Sequence, residues 1–190
     1  MILLLAACAP LISGASPVPL ATGQHGEVGV AAHAGHVPVH LKDGRDRRQE
    51  YPTVGASTYA RFELDNGVGL GGRLDIGPTQ YLAAGGWIRL ALLRRSASYV
   101  GVQLEGGWAY GELSLPAAFQ AGRRMWLWTR PGARVSLVPM GLLPVGLTVD
   151  LGKTFAINAE AMVMTPIFID GWRRVNPVGV TGAVGVSSRF

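Results

Sequence analysis

The chain has few charged residues and almost no lysine. Of its 190 residues, 15% are charged, and the only lysines are Lys42 and Lys153. An average soluble domain has roughly 25% charged residues and covers its surface mainly with lysine and glutamate. The composition therefore argues against an ordinary water-exposed surface.

Cysteine and long apolar runs are also scarce. Cys8 is the single cysteine, so no disulfide framework is predicted. Although 48% of the residues are apolar, no run reaches the length of about 18 that marks a membrane-spanning helix. The 27 glycines and 12 prolines disfavour helices and suit strands and turns. The length and composition therefore predict one all-β domain.

A basic patch is missing as well. The net charge of +5 comes from arginines that are scattered along the chain and alternate with apolar residues. A nucleic-acid-binding surface usually clusters its basic residues and interleaves them with stacking aromatics. We therefore predict no nucleic-acid partner.

The chain shows strict alternation of apolar with small or polar residues in many segments. In residues 53–64, Val54, Thr58 and Phe62 fall on one face, and Tyr59 and Arg61 fall on the other. Successive side chains of a strand point to opposite faces, so each such segment is predicted to be a strand with one apolar side. We predict nine segments: 27–34, 53–64, 68–76, 81–92, 100–110, 124–137, 145–151, 155–165 and 178–190. Residues 113–122 are predicted to be a loop.

The last fourteen residues alternate in the same way and stop on Phe190, which is in phase with Val180, Val184 and Val186. This ending resembles the C-terminal signal of bacterial outer-membrane β-barrels, although Ser188 stands where an apolar residue is usual. The resemblance implies an outer-membrane location. It also implies that Phe190 is a sorting signal read by the barrel-assembly machinery during insertion.

The polar face of the predicted strands combines many glycines and alanines with charges of both signs. Small residues suit the interior of a narrow barrel, and buried charges are tolerated when they are paired. We therefore predict that this face lines the lumen as a salt-bridge network that plugs it, and that the Val, Leu and Ile face meets lipid. The predicted network is Arg61, Glu63, Arg73, Asp75, Arg89, Glu105, Arg130, Arg134, Asp150 and Glu160. Aromatic residues near strand ends are predicted to form interfacial belts, namely Tyr51, Tyr81, Tyr99, Tyr110 and Trp172.

Over residues 24–190 the pattern resembles small eight-stranded outer-membrane proteins of the OmpA/OmpX type. The resemblance implies an all-β, antiparallel up-and-down transmembrane β-barrel. Single-chain bacterial barrels have even strand numbers, so nine segments cannot be the final count. We favour eight strands, with ten as the alternative, and place the ambiguity in residues 124–151, where Pro131, Pro139 and Pro144 interrupt the alternation.

The N-terminal region differs in composition from the rest. Residues 1–8 end in Leu5-Ala6-Ala7-Cys8, which resembles the lipobox of bacterial lipoproteins and implies lipidation of Cys8. An ordinary signal peptide that contains a cysteine is the alternative, and a start further upstream would explain the absence of a basic n-region. Residues 9–23 are rich in Pro, Ala and Ser and are predicted to be a linker.

Two patterns in the sequence are candidates for a metal site or a catalytic site. His25, His33, His36 and His40 lie close in sequence, but no cysteine or well-placed carboxylate completes a metal-ligand set. Ser57 with His33 or His36 is the one nucleophile and base arrangement available, and no hydrolase motif surrounds it. A lipid-modifying outer-membrane enzyme is therefore the weaker alternative, and we predict no enzyme, no metal and no cofactor.

The remaining candidate is a basic surface. Arginines and lysine in the predicted loops could pair with phosphates of lipopolysaccharide, and a solvated mixed-charge loop is the simpler interpretation. The candidate contacts are Lys42, Arg45, Arg47, Arg48, Arg173 and Arg174. The sequence thus predicts a small outer-membrane barrel with a plugged lumen and a structural or surface-interaction role. Two alternatives remain open: a narrow channel for small solutes, and a soluble periplasmic lipocalin-like lipoprotein that binds a hydrophobic ligand.

Overall fold

The structure is a computed structural model that describes residues 15–42, 46–77, 81–108, 110–136, 139–166 and 179–190, with the side chains of residues 37–42, 46–51, 81 and 166 left outside that description. Every regular element in these ranges is a strand. They are β1 Gly26–Lys42, β2 Asp46–Glu63, β3 Val68–Gly77, β4 Tyr81–Arg95, β5 Ser98–Gly107, β6 Tyr110–Ser114, β7 Ala117–Gly122, β8 Met125–Thr129, β9 Gly132–Val135, β10 Met140–Asp150, β11 Phe155–Pro166 and β12 Gly179–Arg189. No helix in the described part of the chain is long and apolar enough to cross a membrane.

The strands form one antiparallel sheet that closes on itself. β1 to β5 and β10 to β12 each pair with the next strand of their run, and β12 pairs back to β1 from Glu27↔Arg189 to His36↔Val180. β6 and β7 both pair with β5, and β8 and β9 both pair with β10, so each of these two couples is a single crossing of the wall interrupted at one place. The described residues therefore build a closed barrel of ten strands. Closure satisfies the backbone hydrogen bonds that an open sheet edge would leave unpaired in lipid.

The predicted fold class is confirmed, and the strand number is ten, the alternative that the sequence left open, instead of eight. The additional crossing is β6–β7, which lies where the sequence predicted a loop over residues 113–122. Pro116 interrupts this crossing, and Ala117 and Ala118 follow it, so the alternation of large apolar residues is lost there. The prolines of residues 124–151, where we placed the ambiguity, do not change the count.

The two ends of the barrel differ. Tight turns connect β2 to β3, β4 to β5, β7 to β8 and β10 to β11 at the end where the chain termini of the barrel meet, since the amide of His25 donates to the Phe190 carbonyl at 2.8 Å. We call this the terminal end. At the opposite end, which we call the loop end, β1 meets β2, β3 meets β4, β5 meets β6, β9 meets β10, and β11 meets β12. In outer-membrane barrels the short turns face the periplasm.

One hairpin is longer than the rest of the wall. β1 and β2 pair along their whole length to Lys42↔Asp46, whereas the described pairings of β12 with β1 and of β3 with β2 end at His36 and Ala56. Residues 37–42 and 46–51 therefore continue as a two-stranded projecting hairpin. At about 3.3 Å per residue, it extends roughly 20 Å beyond the described ends of the neighbouring strands.

Glycines on the inner face make room for aromatic rings of the adjacent strand. A Cβ atom at Gly71 would overlap the indole of Trp87, and one at Gly29 would overlap the ring of Tyr59. Gly71 pairs directly with Trp87, and Gly29 pairs directly with Tyr59. The small residues and the large rings therefore alternate around the interior so that the side chains fit together.

Candidate functional site in the barrel interior

The wall separates an apolar exterior from a polar interior. On β12, Val180, Val184 and Val186 are 50–62% exposed, whereas Thr181 and Ser187 are buried between them. The same alternation runs along the other strands and leaves a band of exposed Val, Leu, Ile and Phe around the outside. Phe190 is 58% exposed on this outer face and packs edge-on against Phe62, with ring centroids 6.2 Å apart.

One group of interior charges is centred on Glu27. This carboxylate contacts Arg61 at 2.6 Å and Arg189 at 2.9 Å, and both arginines occupy the register positions directly opposite Glu27 on the neighbouring strands. The Tyr59 hydroxyl donates to it at 2.6 Å. Arg189 also contacts Asp150 at 2.6 Å. Glu27 thus ties β1, β2 and β12 together across the seam where the barrel closes.

A second group is centred on Glu105 and Glu112. Arg73 and Arg130 contact Glu105, the latter at 3.5 Å, and the Tyr110 hydroxyl donates to it at 2.7 Å. Arg130 also contacts Glu112 at 3.2 Å, and Arg134 contacts Glu112 at 2.8 Å. Every carboxylate and guanidinium in this group has a side chain that is at most 2% exposed. The ion pairs join the wall from β3 to β9.

All ten residues of the predicted network face the interior. Arg61, Glu63, Arg73, Asp75, Glu105, Arg130, Arg134 and Asp150 take part in ion pairs, with Asp75 beside Arg73 at 3.8 Å. Arg89 is hydrogen-bonded to Gln103 instead. Glu160 lies half-buried on the inner side of β11.

The sequence reasoning omitted two residues that organise the network. Glu27 stands at the start of β1, in phase with Gly29 and opposite Val28 and Val30, so the alternation itself carried the signal. Glu112 is in phase with Tyr110 and Ser114, but it lies between the predicted strand 100–110 and the predicted loop 113–122. Both side chains are at most 2% exposed.

Two of the predicted interfacial aromatics lie inside the barrel. Tyr99 is 5% exposed and Tyr110 is 6% exposed, because each is in phase with the interior glutamines and glutamates and not with the exposed leucines of its strand. The side chains of Tyr51 and Tyr81, and Trp172, lie outside the described residues. The structure therefore corrects the belt prediction at Tyr99 and Tyr110 and leaves the other three untested.

A short segment before β1 also lies in the lumen. Ala15, Ser16, Val18 and Leu20 are each at most 3% exposed, although residues 9–23 were predicted to be a linker. Val18 packs among Tyr99 of β5, Ala118 of β7, and Trp126 and Trp128 of β8, and Ala15 packs with Tyr59 of β2 and Trp87 of β4. Contact with inward-facing rings from several sides requires that the segment runs inside the barrel. We call residues 15–20 the inner segment.

Polar contacts fix the inner segment to the wall. Arg61 donates to the Val18 carbonyl at 2.8 Å, and the Leu20 amide donates to Glu63 at 3.3 Å. The Ser16 and Thr148 hydroxyls are hydrogen-bonded at 2.9 Å. The backbone of the inner segment is thus satisfied by interior side chains, as buried backbone groups require. Sequence composition could not reveal this, because the partners are distant in sequence.

The structure forms neither the candidate histidine metal site nor the candidate nucleophile and base pair within the described residues. His33 and Ser57 both face the interior and are 3% exposed, but in the described part of the chain neither ring nitrogen of His33 has a hydrogen-bond partner. A nucleophile and base pair needs that hydrogen bond. His25 is exposed at the terminal end, and the side chain of His40 is outside the described residues. Among the described residues, no group of three or more His, Cys, Asp or Glu is placed to hold a metal ion.

Several residues of the predicted sites lie wholly or partly outside the described residues. Cys8, Arg45, Arg173 and Arg174 lie outside the described residues. Lys42, Arg47 and Arg48 lie in the backbone of the projecting hairpin, without described side chains. In sequence, Arg45 lies between β1 and β2, and Arg173 and Arg174 lie between β11 and β12, and of these strands β12 pairs with β1.

The faces and the closure define the class of protein. A closed antiparallel barrel with an apolar exterior and a paired-charge interior is a transmembrane β-barrel of the bacterial outer-membrane type. A lipocalin-like soluble barrel has the opposite arrangement, with its apolar face inside.

No protein-family model matches the chain, and no curated protein matches it. Its fold is similar to solved outer-membrane barrels. The attachment invasion locus protein Ail of Yersinia pestis is 13% identical, with 88% of this chain and 99% of that chain covered and a TM-score of 0.43. The KdgM porin is 12% identical, with 86% and 99% covered and a TM-score of 0.48. The outer-membrane protease OmpT of Escherichia coli is 6% identical, with 90% and 97% covered and a TM-score of 0.43.

Proposed function

We propose that this protein is an outer-membrane barrel with a closed lumen and a structural or surface-interaction role. The observation that carries the proposal is that both the inner segment and a set of paired charges occupy the interior. The inner segment packs among Tyr59, Trp87, Tyr99, Trp126 and Trp128, and the ion pairs from Arg73 to Arg134 link buried side chains of β3 to β9. Displacing paired buried charges is costly, so the ground state is a plug and not a pore.

Two measurements test location and closure. The full chain, expressed in a Gram-negative host, is expected in the outer-membrane fraction with a heat-dependent gel shift. Extraction by carbonate without such a shift would contradict the barrel in the membrane. In planar bilayers the purified protein is expected to give no stable conductance, with a known porin inserted in the same bilayers as the positive control. Stable single-channel steps would support the narrow-channel alternative instead.

The surface role rests on the projecting hairpin. Lys42, Arg47 and Arg48 lie on it, Arg45 lies in its connection, and Arg173 and Arg174 lie in the neighbouring connection. Basic residues concentrated at the loop end are suited to the phosphates of lipopolysaccharide, which an outer-membrane protein meets on that side. This contact deepens the proposed role, and recognition of Phe190 by the barrel-assembly machinery stays a prediction.

A matched pair of variants tests the lipopolysaccharide contact. Replacement of Lys42, Arg45, Arg47 and Arg48 by glutamine is expected to weaken the binding of purified lipopolysaccharide. It is also expected to make that binding less dependent on the salt concentration. Replacement of Arg95, Arg123, Arg124 and Lys153 by glutamine removes the same number of charges from exposed positions at the terminal end and is expected to leave binding unchanged. Equal loss in both variants would indicate a general charge effect, and no loss in the first would remove the hairpin from the proposal.

A further inference from the structure

Arg89 differs from the other interior arginines because, among the described residues, it forms no ion pair with a carboxylate. Its side chain is buried, and Nε and Nη2 both donate to the Oε1 atom of Gln103, at 2.9 and 2.8 Å. A glutamine amide is uncharged. The other five interior arginines each contact at least one carboxylate, namely Arg61, Arg73, Arg130, Arg134 and Arg189. A buried charge is unfavourable unless it is paired.

The acidic residues whose side chains lie outside the description belong to other parts of the sequence than Arg89. Of the twelve aspartates and glutamates in the sequence, these are Asp43, Asp46, Glu50 and Asp170. The first three lie within or between β1 and β2 in sequence, and Asp170 lies between β11 and β12, whereas Arg89 lies in β4. Arg89 pairs with Gly69, which follows the β2–β3 turn at the terminal end. Residues 1–14 contain no acidic residue.

A small cavity lies beside Arg89. Its volume is about 10 Å³, and its lining includes Glu63, Gly67, Gly69, Arg89, Arg94 and Tyr99. A cavity of roughly 10–15 Å³ holds one occupant of about the size of a water molecule. Gly67 belongs to the β2–β3 turn and has a positive φ of 83°, so the cavity lies at the mouth of the barrel on the terminal side.

The charges around the cavity favour an anion. Glu63 is the one carboxylate in the lining, and it is already shared between Arg61 at 3.2 Å and Arg94 at 3.6 Å and also accepts from the Leu20 amide. Within the lining, Arg89 and Arg94 therefore exceed Glu63 by one positive charge. The Tyr99 hydroxyl has no hydrogen-bond partner among the described residues and is available as a donor.

We propose that the cavity beside Arg89 binds one small monovalent anion of the size and charge of chloride. The ion completes the charge balance of the interior at the terminal end, with Arg89 as its main partner and Arg94 and the Tyr99 hydroxyl as further donors. Glu63 and Arg94 also hold Leu20. The bound anion therefore stabilises the same end of the lumen to which the inner segment is attached.

Thermal unfolding of the full chain in detergent tests the proposal. Chloride is expected to raise the unfolding temperature in a saturable manner relative to gluconate at equal ionic strength, because gluconate is too large for the cavity. Arg89→Gln is expected to lose this difference, and Tyr99→Phe is expected to weaken it. Arg123→Gln removes the same charge from an exposed turn and is expected to keep the full difference. Crystals soaked in bromide are expected to show an anomalous peak beside Arg89.

The opposite results are equally specific. Equal unfolding temperatures in chloride and gluconate, or a bromide soak without a peak beside Arg89, would mean that the cavity holds water only and would overturn the proposal. A chloride effect of full size in Arg89→Gln would place the ion elsewhere. If Arg89→Gln does not fold, Tyr99→Phe and the bromide peak still decide. None of these results depends on whether the lumen conducts.

Discussion

Glu105 and Glu112 stand directly opposite each other on β5 and β6, although both are negatively charged and both are buried. Like charges in this position are destabilising. Arg130 lies between them and contacts Glu105 at 3.5 Å and Glu112 at 3.2 Å. The start of the β6–β7 crossing, where the sequence pattern was weakest, is therefore held to β5 by a guanidinium from the crossing formed by β8 and β9.

Arg130→Met is expected to destabilise the folded barrel by about 3–5 kcal/mol, because it leaves two buried carboxylates facing each other without their shared cation. Denaturant titration in detergent, read by the heat-dependent gel shift, measures the loss. Adding Glu105→Gln is expected to restore part of the stability, since Glu112 keeps Arg134 and Arg73 keeps Asp75. A double variant as unstable as Arg130→Met would show that repulsion between the glutamates is not the cause.

The inner segment makes a prediction about accessibility. In a Cys8→Ser background the chain has no other cysteine, so a single new thiol can be followed. Val18→Cys is expected to react much more slowly with a water-soluble thiol reagent than Thr22→Cys, because Val18 is fully buried and Thr22 is exposed. Unfolding in denaturant is expected to make the two rates equal. Similar rates in the folded protein would mean that the segment does not occupy the lumen.

The wall was more predictable than its contents. In β2, β3 and β4 the alternation of Val, Leu and Ile with Arg, Gly and Ser gave both the strand and its two faces correctly, because lipid outside and paired charge inside impose the period of two. At Tyr110 the predicted face is wrong, because the buried positions are odd-numbered on β5, as at Gln103 and Glu105, and even-numbered on β6, as at Tyr110 and Glu112. The choice between eight and ten strands depended on the β6–β7 crossing alone.

The site required information that the sequence does not carry locally. Glu27 and Arg189 are far apart in the chain and meet because the barrel closes between β1 and β12. Arg61 and Val18 meet because the inner segment lies in the lumen. A Pro- and Ala-rich composition predicts a linker whether the segment lies in water or in the lumen. Only the inward-facing aromatics of distant strands distinguish the two.

Interior glycines provide a test of how closely the side chains fit. Gly71→Ala is expected to destabilise the barrel by about 1–3 kcal/mol, because the new methyl group overlaps the Trp87 indole and forces it to move. The same change is expected to be less harmful in a Trp87→Leu background, and chemical denaturation of the four proteins measures this coupling. Gly106→Ala is the control, because a Cβ there meets nothing within 4 Å. An equal effect at both glycines would indicate a backbone cause instead of a collision.

The orientation of the two faces makes the final prediction. Leu74 lies on the outer face in the middle of β3, between Thr58 and Ala84, whereas Leu92 lies beyond the end of β3 near the turn at the terminal end. An arginine on the lipid face costs about 2–4 kcal/mol at the bilayer midplane and about 0–1 kcal/mol near the interface. Leu74→Arg is therefore expected to reduce folding into vesicles strongly, and Leu92→Arg is expected to reduce it little, as measured by the folded fraction on unheated gels. If both variants fold as well as the unmodified chain, the exposed leucines do not face lipid and the barrel is not embedded as its two faces require.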